Sequence, residues 1–411
     1  MASIGVLVII LACAAIQYFK GSLTTAVATL IAAISSAFAA MGYYELLAGY
    51  LGRYMGGMAA WAEVICFVLV FIVVFAVLQT AIAQFLRQPI DLGQWPERIG
   101  RPVCGVLLGW AVAGVTLTAA SLAPLPLGYP YQRFEDRRPD PDRPHRVLLN
   151  ADGFVSGGFA LISRGSFRAV QGAQSFGAVR AGFLDQLYLN RLGIASKVSR
   201  RTEDPAIEVP RRAAVWEAPE GITDGDGGAL PARPGKVLML ARIGFKRAAL
   251  RDSSPFTLSQ VRLICKPRDQ AKRPLAGKGR PVYPAGYMQE ARQLALKGLD
   301  EQVALESRDF GRDDASVRWI DFGFYVPSGL VPVLAQFKWN NMVEVPPPVT
   351  GDQAPQVIPL IRRQAPRPAE ETPPTPPDGN TPASTNTTPP QEGGLSPLSQ
   401  GVVGNPGGEG P

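Results

Sequence analysis

Two long uncharged runs on either side of a short charged segment limit what this chain can fold into. Residues 64–86 carry no charged side chain over 23 positions, and residues 102–122 carry none over 21. About 20 apolar residues in a helix cross the hydrocarbon core of a bilayer. The segment between the runs, residues 87–101, holds two prolines, one tryptophan and three arginines. The pattern predicts two membrane-spanning helices joined by a loop at the membrane surface.

Two more uncharged apolar runs precede this pair, at residues 2–19 and 23–44. Residues 1–125 are therefore predicted to form a module of four transmembrane helices. No basic residue precedes the first run, so it is expected to be an uncleaved anchor and not a secretory signal peptide. The alternative is that some runs are buried core helices of a soluble protein. Their length and their lack of charged residues argue against it.

Basic residues in the short loops predict how these helices are oriented. Lys20 follows the first run, and three arginines including Arg98 lie between the third and fourth runs. The remaining short loop has a single basic residue, Arg53. Short loops rich in lysine and arginine face the cytoplasm. Both termini, and everything after residue 125, are then expected on the extracytoplasmic side of the membrane.

The fourth run contains two glycines, Gly105 and Gly109, four residues apart. Residues at this spacing share one face of a helix, and small residues there let two helix backbones approach closely inside lipid. The spacing predicts that the fourth helix packs against another helix of the bundle. Self-association into a homo-oligomer is a further option.

Two carboxylates and one arginine lie near the predicted ends of the second and third spans. Glu45 and Glu63 flank the short loop that contains Arg53. An ionisable residue inside a membrane is by default a candidate for a proton or ion path. A carboxylate at a span end can instead reach water or pair with Arg53, and their positions favour this structural role.

Two short motifs lie in the first third of the chain, Phe19-Lys20-Gly21 after the first span, and Glu97-Arg98-Ile99-Gly100-Arg101 leading into Gly105 and Gly109. Together they resemble the CvpA (colicin V production protein) family of bacterial inner-membrane proteins. In that family an aspartate-arginine pair usually precedes glycines four apart, with a basic residue before the last. Here Glu97 replaces the aspartate, Arg101 stands at the first glycine, and Leu108 stands at the base.

The CvpA resemblance implies a multi-pass protein of the cell inner membrane, linked to toxin production and export and to envelope upkeep. Some members of that family fuse the four spans to an extracytoplasmic trypsin-like protease. The resemblance therefore implies an extracytoplasmic domain after the spans of this chain too.

Residues 131–345 follow a proline-rich connector and are predicted to form a basic soluble domain. They contain 33 lysines and arginines against 24 aspartates and glutamates, a net charge of +9. A basic face beside a membrane can attract anionic head groups of the lipid bilayer or acidic envelope polymers. The charges are scattered, which favours an ordinary solvated surface. The sequence has no nucleic-acid recognition module, so a nucleic-acid partner is not expected.

The basic domain is predicted to begin with short helices, within residues 152–192, and to continue as a β-sandwich at about 213–345. Alternating apolar residues between proline and glycine turns indicate antiparallel strands. The strands are predicted at residues 237–245, 261–265, 320–326 and 333–339. An amphipathic helix is predicted at residues 288–299. The strand order, with Phe256-Thr257-Leu258 and Phe324-Tyr325-Val326-Pro327, is similar to immunoglobulin-like modules of the DUF4352 kind.

The sequence contains no group of residues that predicts an enzyme. Its one histidine, His145, lies beside Pro144 in the connector, and a trypsin-like serine motif is missing. The nearest match, residues 224–228, has Asp226 where the nucleophile would be and lacks the other ligands of a calcium loop, so a turn is predicted there. The four cysteines have no metal-ligand spacing. No catalytic residue, metal or cofactor is expected.

Residues 346–411 hold 17 of the 38 prolines and are predicted to be a disordered tail. The whole pattern predicts a scaffold in which the spans anchor a non-catalytic extracytoplasmic β-sandwich that binds a protein or envelope-polymer partner. The alternative is a transporter or channel component, with Glu45, Glu63 and the glycine-lined fourth helix along its path. Few polar residues lie at helical spacing inside the spans, which favours the scaffold. They are Thr25, Thr29, Gln79, Gln84, Thr116 and Thr118.

Overall fold

The structure is a computed structural model that describes most of the chain up to residue 360. The described residues are 2–20, 22–54, 60–86, 93–135, 139–163, 174–195, 198–202, 204–247, 255–306, 309–310 and 316–360. They belong to one compact unit. Gly21, which the family resemblance includes, lies outside them, as do the side chains of Lys20 and Arg53.

Four long helices form the N-terminal region. They are α1 (Ala2–Lys20), α2 (Leu23–Tyr54), α3 (Ala62–Phe85) and α4 (Gln94–Leu122). All four are long and apolar enough to cross a membrane, which confirms the prediction of four such helices. Helix α1 packs along α4, and α2 packs along both α3 and α4.

Helix α4 begins earlier than the sequence predicts. It starts at Gln94, so the second half of the predicted surface loop is helical. Pro96 lies in the first turn, where no helical hydrogen bond requires its missing N–H group. Glu97 also lies in that turn, where a carboxylate favours a helix N-terminus. The uncharged run marks the part of α4 that suits lipid, and the helix extends beyond it.

Three short helices follow the connector. They are α5 (Ala151–Ile162), α6 (Phe176–Val179) and α7 (Phe183–Ala195), close to the predicted stretches. Helix α5 contacts α2 and α4, and α7 contacts α4 as well. The short helices therefore pack directly on the long ones.

The rest of the described chain is mostly antiparallel sheet. Its strands are β1 (Ile207–Glu208), β2 (Val215–Glu217), β3 (Thr223–Asp224), β4 (Lys236–Lys246), β5 (Phe256–Thr257), β6 (Val261–Pro267), β7 (Arg280–Val282), β8 (Pro284–Glu290), β9 (Gln293–Leu296), β10 (Gln302–Val303), β11 (Val317–Pro327), β12 (Leu330–Phe337) and β13 (Asn341–Glu344). One sheet has the order β1-β4-β11-β8-β9-β3, with β2 also on β4, and a second has the order β13-β12-β6-β7. The four predicted strands are confirmed as β4, β6, β11 and β12.

The two larger sheets share a core of aromatic rings. Phe245 on β4 contacts Phe337 on β12 with ring centroids 5.1 Å apart, and Phe256 stacks on Phe245 at 4.8 Å. All three side chains are fully buried. Large aromatic side chains bury more apolar area than any other residues, so this contact between sheets accounts for much of the domain's packing.

The prediction of a helix at residues 288–299 is wrong, because most of this segment forms strands. Strands β8 and β9 form an antiparallel hairpin in which Met288 pairs with Leu294 and Gly286 with Leu296. Met288 and Leu294 are buried. The apolar residues Met288, Ala291, Ala295 and Leu299 are three or four positions apart, as on a helical face, and the turn at Ala291 and Arg292 has no glycine or proline to indicate it. Pairing with β11 decides the conformation.

The start of the predicted disordered tail was placed too early in the chain. Residues 346–360 run along the larger sheet, where the N–H of Val349 donates to the carbonyl of Val215 at 3.0 Å and that of Leu360 donates to Met288 at 2.8 Å. Val349, Val357 and Leu360 pack against buried apolar residues. The prediction used the composition of residues 346–411 as a whole, which does not distinguish the first fifteen residues from the rest. Residues 361–411 lie outside the described part of the chain.

The Asp224 segment is a turn, as the sequence predicts. The Asp224 carboxylate accepts the backbone N–H groups of Asp226 at 3.0 Å and Gly228 at 2.6 Å. Gly227 has a φ of 82°, which favours glycine. The acids and glycines of this stretch are explained by the turn itself.

Candidate functional site at the helix–sheet junction

The four-helix region and the sheet domain meet through a shared apolar core. Tyr44 on α2, Phe67 on α3, Phe159 on α5 and Phe183 on α7 belong to one buried cluster with Trp339, which lies in the turn between β12 and β13. Trp339 is 2% exposed. We call this cluster, with the ion pairs around it, the junction. Because a single core contains residues of all these elements, the sheet domain is packed on the helices and not merely tethered to them.

Glu45 on α2 is held by an arginine of the basic domain, in the turn between α6 and α7. Arg180, which follows α6, donates to the two carboxylate oxygens of Glu45 at 3.0 and 2.9 Å, and the Tyr44 hydroxyl donates to the same carboxylate at 3.0 Å. A third N–H of Arg180 donates to the Trp339 carbonyl at 2.6 Å. Burial opposes the charge of Arg180, but the Glu45 carboxylate outweighs it and raises the pKa of the guanidinium. Arg180 and Glu45 therefore form a bidentate, charge-assisted ion pair.

Glu63, at the start of α3, has a matching arrangement. Its carboxylate accepts hydrogen bonds from Arg201 at 2.8 Å and from Arg200 at 3.4 Å. The guanidinium groups of Arg180 and Arg200 both lie over the Trp339 ring, 4.5 and 5.7 Å from its centroid. The two carboxylates that the sequence singled out are therefore brought to one place, around a single tryptophan. Arginines far along the chain hold them, which sequence reasoning missed.

A second polar group joins the connector to α5 and α7. Arg133 donates to Asp185 on α7 at 2.7 Å and lies 3.4 Å from a carboxylate oxygen of Asp152 on α5. The Tyr131 hydroxyl donates to that Asp152 oxygen at 2.5 Å. Burial opposes the charge of Arg133, but Asp185 and its other partners outweigh it and raise the pKa of the guanidinium. Asp152 is fully buried, so these contacts neutralise a carboxylate that water does not reach.

Arg191 on α7 satisfies the C-terminal end of α4. Its guanidinium donates to the carbonyls of Ala120 and Ser121, both at 2.9 Å, and to that of Ala123 at 3.3 Å. The last carbonyls of a helix lack partners within the helix and carry the negative end of its dipole. A cation there both completes the hydrogen bonds and opposes that charge, so α7 is fixed on the end of α4.

Arg262 links the second sheet to the short helices. It is 1% exposed and donates to Gln336 at 2.7 Å, to the Ala181 carbonyl at 2.9 Å and to Gln186 at 2.6 Å. Burial lowers the pKa of this guanidinium. The expectation that the basic residues form a solvated surface is therefore wrong for the arginines of the junction and its surroundings, which point inward and connect elements.

No family model matches the chain, and no curated protein or solved structure matches it significantly. The role of the junction must therefore follow from its own contacts. The resemblances to the CvpA family and to immunoglobulin-like modules stay predictions.

The motif residues that carry the CvpA resemblance lie at the opposite end of the helices. The Glu97 carboxylate accepts the backbone N–H of Leu23, with its oxygens 3.1 and 3.3 Å away, and pairs with Arg101 at 2.5 Å. It thereby caps the N-terminus of α2 from the first turn of α4. Phe19 is 78% exposed and Arg98 is also exposed. The structure brings Glu97 to the turn between α1 and α2 but leaves these two side chains outside the contact.

The two glycines of α4 lie against α1. A Cβ atom on Gly105 would be 2.6 Å from the Cα of Ala14, and one on Gly109 would be 2.5 Å from the Cα of Ile10. Both distances are too short for any side chain, so the absence of side chains allows this crossing. Within the described residues, no group of three His, Cys, Asp or Glu side chains is placed to hold a metal ion.

Proposed function

We propose that this chain is a multi-pass scaffold of CvpA type, in which four membrane spans hold a non-catalytic sheet domain in a fixed position for a protein or envelope-polymer partner. The observation that carries the proposal is the junction. Glu45 and Glu63, each near the end of a span, are ion-paired with arginines of the basic domain that lie between α6 and α7 and between α7 and β1. Trp339 of the sheet domain is buried among the helices. A domain that only needed an anchor would require a linker and no such contacts.

The proposed location is the inner membrane, with both termini and the sheet domain on the extracytoplasmic side. The supporting observation is the set of basic residues just before and within the first turns of α4, including exposed Arg98, at the far end from the junction. An immunoglobulin-like class for the paired sheets and a link to toxin production belong to the same proposal. The antiparallel pairing and the shared aromatic core support the first. The motif resemblance supports the second.

The alternative, a transporter or channel component, has less support. Its two carboxylates are occupied by arginines, and α1 fills the space beside Gly105 and Gly109. The buried serine and threonine hydroxyls of the described spans donate to their own helix four residues back, as Thr118 does to Gly114 at 2.8 Å and Ser36 to Ala32 at 2.7 Å. Side chains satisfied in this way offer a passing ion no continuous set of ligands.

Cysteine labelling tests the proposed orientation. Asp226→Cys lies on an exposed turn of the sheet domain, and Trp95→Cys lies at the 78% exposed start of α4. In intact cells a membrane-impermeant maleimide is expected to label the first variant at once and the second only after permeabilisation. Unchanged protein gives the background, since Cys66, Cys104 and Cys265 are buried and Cys13 is half-buried within α1. The reverse order of labelling would overturn the extracytoplasmic placement.

Site-specific photocrosslinking tests the scaffold role itself. A photoreactive residue at Arg292, on the exposed hairpin between β8 and β9, is expected to give a discrete adduct with an envelope protein or polymer in living cells. The same residue at Trp95, on the other side of the membrane, is the matched control and should not give that adduct. If exposed positions across the sheet domain give no adduct beyond the control, the partner-binding proposal fails.

A further inference from the structure

We propose that α5 and the turn before it lie inside the lipid leaflet on the side of the sheet domain, as an interfacial element in addition to the four spans. The occupant of its outer face is the acyl-chain region of that leaflet. The proposal rests on the membrane placement of the four helices and adds a lipid contact made by the sequence that follows them.

The contact with α4 gives the depth of one end of α5. The Ala151 carbonyl lies against Gly114 so closely that a Cβ atom there would overlap it. Gly114 is eight residues before the end of α4 at Leu122, a rise of about 12 Å. The start of α5 therefore lies alongside the part of α4 that crosses the membrane, and not beyond its end.

The contact with α2 gives the depth of the other end. A Cβ atom on Gly158 would be 3.2 Å from the Phe38 ring, and one on Gly42 would be 3.7 Å from the Phe159 ring. Phe38 is fifteen residues after the start of α2 at Leu23, a rise of about 22 Å. A hydrocarbon core is about 30 Å thick, so this contact also falls within it. Leu23 lies against Gly100 of α4, and Gly114 is fourteen residues after Gly100, a rise of about 21 Å. Both ends of α5 are therefore at similar depth, and α5 lies across the spans.

The two sides of α5 are both apolar. Ala151, Val155 and Phe159, four residues apart, face the protein and are buried. On the other side of α5 Leu161 is 64% exposed, and in the turn before the helix Leu149 is 62% exposed. A short helix on a water-facing surface normally has a polar outer face, and an apolar outer face indicates burial in something else. Asp152 is the one charged residue of 148–162, and Arg133 and Tyr131 neutralise it.

The exposed side of α5 continues the lipid-facing surface of the spans. The Trp110 indole of α4 donates to the Leu149 carbonyl at 3.3 Å and stacks on Phe154 at 4.0 Å between ring centroids. The turn that contains Leu149 also touches α1, whose outer stripe is exposed and apolar. That stripe consists of Ile4, Leu7, Val8 and Leu11. This continuity argues that lipid covers Leu149 and Leu161, as it covers the stripe.

Depth-dependent fluorescence quenching tests the proposal on the full-length protein in vesicles of phosphatidylethanolamine and phosphatidylglycerol. An environment-sensitive fluorophore is attached to Leu161→Cys, to Leu69→Cys on α3 and to Asp226→Cys. Leu69 is 55% exposed and lies in the outer part of a span, so it is the membrane control, and Asp226 is the water control. Melting in detergent confirms that each variant is folded.

The Leu161 probe is expected to emit at shorter wavelength, and nitroxide lipids are expected to quench it several-fold more strongly than the Asp226 probe. If it behaves like the Asp226 probe while the Leu69 probe is quenched, α5 is in water and this proposal is overturned although the membrane proposal stands. If it emits at short wavelength without lipid quenching, a second copy of the chain covers α5, which also overturns it. If the Leu69 probe is not quenched either, the membrane placement itself fails.

Discussion

Replacing Gly109 with leucine is expected to remove most of the folded protein from the membrane. A Cβ atom at this position would lie 2.5 Å from the Cα of Ile10 and 3.1 Å from two backbone carbonyl oxygens of α1. Overpacking a close-packed core costs about 1–3 kcal/mol even where side chains can move, and here the neighbours are backbone. Helices α1 and α4 would have to separate, which would also open the contact at Gly105. Size-exclusion chromatography of detergent extracts measures the folded fraction.

Two controls separate this close crossing from a general effect of leucine. Gly5→Leu makes the same chemical change on α1, where nothing lies within 4 Å of the added Cβ atom. Val106→Leu is on α4 but 41% exposed. Both variants should accumulate like the unchanged protein. Equal levels for Gly109→Leu and the controls would mean that glycine is simply common in such helices, and the close crossing would not matter.

Arg180→Met is expected to destabilise the junction by on the order of 3 kcal/mol, the lower end of the cost of breaking a buried ion pair. The variant leaves the Glu45 carboxylate without its cationic partner. The Glu45 side chain is 30% exposed, so water still hydrates part of it. It also removes the stacking on Trp339. The melting temperature in detergent and the protease sensitivity of the sheet domain are the measurements, and both should change.

A double-mutant cycle distinguishes the loss of the Glu45–Arg180 ion pair from a loss of packing around Arg180. Glu45→Leu combined with Arg180→Met should recover part of the stability, because neither charge is then left unpaired. Arg211→Met, an exposed arginine of the same domain, is the matched control and should have little effect. If the two single changes simply add in the double variant, Glu45 and Arg180 do not stabilise the junction through each other.

The sequence predicted the long helices well because length and lack of charge are sufficient for a helix in lipid, whatever it packs against. It missed two of their ends, the C-terminal end of α2 and the N-terminal end of α4. Helix α2 continues to Tyr54, past Glu45, whose carboxylate is paired with Arg180. The charge ended the apolar run but not the helix.

The strands were predicted correctly where apolar and polar residues alternate strictly. The prediction failed where the apolar residues also fit the spacing of a helical face. Residues 288–299 fit a helical face, and only the pairing of β8 with β9 and β11 makes them strands. In the same way, residues 346–360 have the composition of a free tail, and their hydrogen bonds to Val215 and Met288 depend on a sheet formed elsewhere. Tertiary pairing overrides local pattern because it supplies partners for the backbone.

Of the junction, the sequence by itself determined Glu45 and Glu63, since a carboxylate beside a long apolar run stands out without knowledge of the fold. It did not determine Arg180, Arg200 or Trp339, which lie more than 100 positions away along the chain. An arginine in a basic domain looks the same whether it is solvated or buried, and only the folded chain brings acceptors within hydrogen-bonding distance of its guanidinium. The four spans follow from local hydrophobicity. The tertiary structure alone decided that Trp339 of the sheet domain packs onto them and that arginines from the segments before the sheets pair with their carboxylates.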